Sequence, residues 1–164
     1  MAGTCTFTNM LNKKRLTKEQ ALQKLKHYCG YQERCHSEVK EKLYSLGVWK
    51  NEHDEIISTL IEEGYLNEER FAIAFASGKF RIKQWGRIKI KYELKQKQVS
   101  EYSIKKALKQ IGEEEYISVL KKLAEEKYAS LKNEQYLVRK KKTMDYLLQR
   151  GFEGGLVREM VEKG

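Results

Sequence analysis

Not one proline interrupts the chain. At an average usage of roughly 5%, a sequence of this length would carry about eight, and proline is a common mark of the turns and linkers of β-rich folds. Glycine and small polar caps are left as the stop signals, which predicts an all-α chain. Those signals recur at short intervals. Thr17 with Gln20 forms a capping-box pattern before Ala21, Leu22 and Leu25, and that helix is expected to fray before Gly30. Ser37 opens a segment with Val39, Leu43 and Leu46 that stops at Gly47; Asn51 precedes Ile56, Ile57, Leu60 and Ile61, which stop at Gly64. The same grammar returns with Asn67 before Phe71, Ile73, Ala74 and Phe75, with Gly86 before Ile88, Ile90 and Leu94, and with Ser100 before Ile104, Ala107, Leu108 and Ile111, closed by Gly112. A third pass runs through Tyr116, Val119, Leu120 and Leu123, then Tyr136, Leu137, Met144, Leu147 and Leu148 to Gly151, and ends with Leu156, Val157, Met160 and Val161. Nine helices in three triplets are expected.

Self-comparison supports repetition. Leu43, Leu94 and Leu147 are offset by 51 and 53 residues, and five residues after each stands Val48, Val99 or Phe152. Gly47 and Gly151 occupy matching places, which Gln98 takes in the middle copy. The reading is three tandem three-helix repeats forming an elongated, curved helical array, because such units bury apolar stripes internally and against their neighbours. Its parts are a flexible arm over 1–16 and repeats over 17–66, 67–112 and 113–164.

Three strings resemble a known family. Gly64-Tyr65-Leu66-Asn67-Glu68-Glu69-Arg70-Phe71-Ala72, the basic segment Gly86 to Lys97, and Tyr146-Leu147-Leu148-Gln149-Arg150-Gly151-Phe152 are similar to signatures of RecX, a bacterial regulator of the RecA recombinase. The likeness covers roughly Glu19 to Glu162. It departs from the family where Gln98 replaces the usual glycine before Val99, and where Asn67, Glu68 and Glu69 stand in place of aspartates. The resemblance implies a non-enzymatic protein that docks on the RecA filament on DNA and restrains its ATP hydrolysis, strand exchange and coprotease activity.

Charge points independently to an acidic partner. The chain carries a formal net charge of +10. From Lys79 to Lys109 there are eleven Lys and Arg against two Glu, whereas Lys50 to Arg70 holds two basic and seven acidic residues. Lys83, Arg87 and Lys91 recur every four residues and would share one face of a helix running through Gly86. The partner-binding candidates chosen on charge are Lys83, Arg87, Lys89 and Lys91 in the middle repeat, and Arg139, Lys140, Lys141 and Arg150 in the third. As solvent-exposed cations, Arg87 and Lys91 are expected to tolerate reversal to Glu within roughly 1 kcal/mol of stability. Gly64 to Ala72 reads instead as a helix stop followed by a cap, with Phe71 entering the core.

Other chemistries lack their residues. Asp54 and Asp145 are the only aspartates, no Gly-rich phosphate loop is present, and no nucleophile–base group is suggested, so an enzyme is not expected. His27, Cys29, Cys35 and His36 lack the spacing of a zinc knuckle and read as packing cysteines and surface histidines, with no cofactor implied. Trp49, Trp85, Tyr92 and Tyr102 read as helix-packing aromatics, with base stacking as the alternative. Three cysteines, an odd number with no Cys-x-x-Cys pair, and the absence of a signal or membrane segment point to the cytoplasm, and a monomer is expected. Two rivals stay open: direct binding of single- or double-stranded DNA by degenerate helix-turn-helix units, and an oligomeric adaptor using Trp49.

Overall fold

A computed structural model describes residues 15–164; of the expected arm, residues 1–14 lie outside the described residues. The described chain forms nine helices: α1 (Lys18–Tyr31), α2 (His36–Ser45), α3 (Lys50–Glu62), α4 (Glu68–Lys83), α5 (Arg87–Gln96), α6 (Glu101–Lys109), α7 (Glu113–Ser130), α8 (Tyr136–Gln149) and α9 (Gly154–Lys163). No strand occurs among the described residues. Two compact units divide the chain, one up to Glu68 and the other from Glu69 onward.

Several helix starts follow the expected chemistry. Gln20 N–H donates to Thr17 Oγ1 at 3.2 Å while Thr17 N–H donates to Gln20 Oε1 at 3.1 Å, completing the capping box. Ser100 caps α6 by accepting from Ser103 N–H at 3.3 Å. Four of these boundaries differ from expectation. α1 runs through Gly30 to Tyr31 and does not fray before that glycine. The N-cap of α2 is Cys35, whose N–H donates to Glu38 Oε2 at 3.2 Å, and Ser37 sits within the first turn. α3 starts behind Trp49 rather than at Asn51. Gly112 begins α7 and does not close α6: its φ of −60° is extended backbone, which suits an N-cap and not a left-handed stop.

The repeat is visible in the turns. Leu43, Leu94 and Leu147 are fully buried, and Val48, Val99 and Phe152 are buried with them. In each triplet the later residue's N–H donates to the leucine carbonyl, at 3.2, 3.1 and 3.2 Å respectively. Gly47, Gln98 and Gly151, one residue earlier, take φ of 71°, 61° and 91°. Each is therefore a Schellman turn, with a left-handed residue that frees the chain to reverse. A glutamine in that conformation is strained by roughly 1–2 kcal/mol, which glycine avoids.

In the first unit, Ala21, Leu25 and Cys29 of α1 pack with Val39 and Leu43 of α2 and with Ile56, Ile57 and Leu60 of α3. His53 joins this core with its Nε2 3.1 Å from the Val48 carbonyl and its ring edge-on to Tyr44. Acidic α3 is tied back to α1 by Glu55 with Lys18 and Glu63 with Lys26. In the second unit, Phe80 of α4, Tyr116 of α7 and Phe152 after α8 form a ring stack with centroids 5.7 and 5.3 Å apart. That stack fuses the second and third triplets.

Candidate functional site

The basic segment is broken where a continuous helix was expected. α4 ends at Lys83 and α5 begins at Arg87; between them Gln84 takes φ of 55° and Trp85 N–H reaches back to the Lys79 carbonyl at 3.2 Å. Lys83 and Arg87 therefore stand on different helices and do not share one helical face.

The first backbone donors of any helix lack partners within it. Those of α5 find them in the third triplet. Gly86 N–H donates to the Arg150 carbonyl at 2.7 Å, Ile88 N–H to the Gly151 carbonyl at 3.0 Å, and Arg87 N–H to the Tyr116 hydroxyl at 3.1 Å. The approach is too close for side chains. A Cβ on Gly86 would lie 2.2 Å from the Gly151 carbonyl carbon, and one on Gly151 would lie 2.3 Å from Lys89 Cβ. Both glycines are required by this clasp.

Arg87 completes the joint. Its guanidinium lies 3.9 Å over the Tyr116 ring, 2.6 Å from Glu113 and 3.6 Å from Glu153, while the Tyr116 hydroxyl donates to Glu153. Burial opposes the charge on Arg87, yet its hydrogen bond to Glu113 and the charges of Glu113 and Glu153 hold its pKa above the ordinary value. Burial, followed by the hydrogen bond to Glu153, raises the Tyr116 pKa well above the usual phenol range. Arg150 donates to the Lys83 carbonyl at 2.7 Å, and Arg81 reaches Glu115 at 3.3 Å. Glu113, Glu114 and Glu115 suit the positive end of α7, and two of them also neutralise arginines of the preceding triplet. The expectation that Arg87 is a dispensable surface cation is thus overturned: its side chain retains only 22% exposure.

The remaining candidates divide. Lys91 pairs with Glu101 at 3.0 Å, and that hydrogen bond is the main cause of the lowered Glu101 pKa. Arg139 donates to the Tyr128 carbonyl at 2.8 Å and stacks on the Tyr128 ring at 3.8 Å. Lys141 pairs with Asp145 at 2.9 Å within α8. By contrast Lys83, Lys89 and Lys140 make no ion pair among the described residues; Lys89 lies over Trp85 at 4.5 Å and Lys140 over Tyr136 at 4.7 Å. The structure thus separates arginines that hold the frame from lysines that make no ion pair among the described residues, a division that charge counting did not make.

In the sequence Tyr116 falls in one apolar stripe with Val119, Leu120 and Leu123, and neither Glu113 nor Glu153 stands out. The available signal was a lone hydroxylated ring in an otherwise aliphatic stripe, since a buried tyrosine hydroxyl needs a partner. Trp49, Tyr92 and Tyr102 are 59%, 60% and 68% exposed, which overturns their reading as packing aromatics; only Trp85 is half-buried. Cys29 and Cys35 are buried, and burial pushes the Cys29 thiol up to about 11. No helix among the described residues is long and apolar enough to cross a membrane.

Comparison with known proteins places this geometry. The family model for the second three-helix domain of RecX matches residues 67–108, and that for the third matches 113–161. A regulatory protein RecX of Prosthecochloris aestuarii is 30% identical over 144 residues, 88% of this chain and 93% of that relative. One from Bacillus cytotoxicus is 29% identical over 136 residues, covering 83% of this chain, and the chain spans about half of that relative's length (50%). A crystal structure of regulatory protein RecX superposes with a TM-score of 0.82 at 21% identity, over 100% of this chain and 81% of the other. RecX from Lactobacillus salivarius gives 0.81 at 23% identity, over 89% and 95%. At these identities the structural likeness establishes the fold.

Proposed function

The chain belongs to the RecX family, a family of regulatory proteins, and from that premise we propose that it binds the RecA recombinase filament on DNA and restrains its ATP hydrolysis, strand exchange and coprotease activity. One observation supports the reading above all. The second and third triplets are clasped backbone to backbone, so the lysines that they display are carried on one rigid frame. Lys83, Lys89 and Lys140, which lack carboxylate partners among the described residues, then supply the attraction for phosphates or carboxylates, with Lys141 and Lys91 available by exchanging an exposed pair. Arg87, Arg139 and Arg150 act indirectly by keeping the frame. Regulation of this kind works by occupancy and needs no catalytic group.

Retention on preassembled RecA–DNA filaments, compared with the same DNA alone across a salt titration, tests the proposal. Retention on the filament should exceed that on DNA by about tenfold and fall as salt rises. Equal retention on both would overturn filament recognition in favour of direct nucleic-acid binding.

A further inference from the structure

Around the α4–α5 break, cations and aromatic rings alternate. Lys97 Nζ lies 5.9 Å from the Phe75 ring centroid; Lys79 Nζ lies 5.4 Å from Phe75 and 5.0 Å from Trp85; Lys89 Nζ lies 4.5 Å from Trp85. Because one ammonium is shared, the two rings lie within about 10 Å of each other. Both residues are half-buried, and Phe75 also packs against Phe71 with ring centroids 5.8 Å apart. Neither Lys79 nor Lys89 makes an ion pair among the described residues. Elsewhere in the basic segment, carboxylates neutralise Arg81, Arg87, Lys91, Lys95 and Lys106.

The ends of this ladder share a second feature. Among the described residues, the two non-glycine residues with positive φ are Gln84, directly before Trp85, and Gln98, directly after Lys97. Each terminates a helix at a place where glycine is the unstrained choice. A side-chain amide stands at both places against local conformational preference, and such departures concentrate at functional positions.

We propose that Phe75 and Trp85, with Lys79, Lys89 and Lys97, form a binding site for a single-stranded polynucleotide. Bases stack on the ring faces while the lysines, on flexible stems, swing from the rings to the phosphates. Gln84 and Gln98 adjoin Trp85 and Lys97 in sequence, at the two ends of the ladder. A duplex is a poor fit, because its base faces are already stacked on one another. An acidic peptide would engage the lysines and leave the rings unused. This site shares Lys89 with the lysines assigned to the filament, and it is tested with no recombinase present, so its failure leaves the filament reading standing.

In a Trp49→Phe background Trp85 is the sole tryptophan, so its fluorescence reports on the ladder. Oligothymidylate of about 15 nucleotides, an abasic phosphodiester of equal length and polyglutamate are titrated in turn. Oligothymidylate should quench Trp85 saturably and bind about tenfold more tightly than the abasic strand. Trp85→Leu should weaken binding about tenfold while Trp85→Phe retains most of it, and Lys89→Met should reduce the salt slope by about 0.7. An oligouridylate arm distinguishes DNA from RNA, and stacking of either supports the site. Equal affinity for the abasic strand, unmoved fluorescence, or equal quenching by polyglutamate would overturn it, even if Trp85→Leu proves unstable.

Discussion

After α2 and after α8 the chain turns in the same way, with a left-handed glycine followed by an apolar residue whose N–H returns to a buried leucine carbonyl. Their surroundings differ. A Cβ on Gly47 would meet only the Arg15 side chain, at 3.7 Å, whereas one on Gly151 would strike the Lys89 backbone at 2.6 Å. In the first triplet the turn only ends a helix. In the third, its carbonyls also cap the start of α5. The same local motif thus also serves as a joint between repeats, which glycine at both contact positions permits.

The largest effect should separate those two glycines. Gly151→Ala is expected to destabilise the protein by about 4 kcal/mol, from left-handed strain plus overpacking against Lys89, while Gly47→Ala costs only about 1 kcal/mol. Denaturant unfolding of the pair checks this, and equal losses would remove the distinction. Next, Tyr116→Phe should cost about 2 kcal/mol, because it leaves the Arg87 N–H without its acceptor inside the joint and removes one of the hydrogen bonds to Glu153.

Alkali should discriminate the regions in the opposite sense. The Cys29 thiol has a raised pKa in the folded first unit, so its stabilising contribution is complete below about pH 9, its unfolded value, and is lost as pH rises toward about 11. Tyr116 in the second unit has a raised pKa too, but its loss begins only above the ordinary phenol value of 10. Alkylation of Cys29 should therefore accelerate while hydrogen-exchange protection around Tyr116 persists. The smallest effect belongs to the middle turn: Gln98→Gly should stabilise by about 1 kcal/mol by relieving left-handed strain, read as a raised melting temperature.

Much of this fold was legible because helix periodicity and turn chemistry are local. Leu43, Leu94 and Leu147 were aligned by spacing and prove to be equivalent buried positions, and Thr17 and Ser100 cap as their side chains dictate. The errors arose where one residue type serves two local roles, as with Gly112, or where a three-residue break interrupts a charged helical spacing, as at Gln84 to Gly86. The division of the basic residues was not legible, because it depends on partners far along the chain. Arg87 meets Glu113 and Glu153, 26 and 66 residues later, and only the fold brings those groups together.

The central claim is that arginines hold the joint while lysines contact the filament. Paired charge reversal of Lys83 and Lys140 to Glu, measured by retention on preassembled RecA–DNA filaments through a salt titration, tests it most directly. Retention should fall by about tenfold with a shallower salt dependence, while unfolding free energy stays within about 0.5 kcal/mol of the unsubstituted protein. Undiminished retention by a stable, folded double variant would contradict the account.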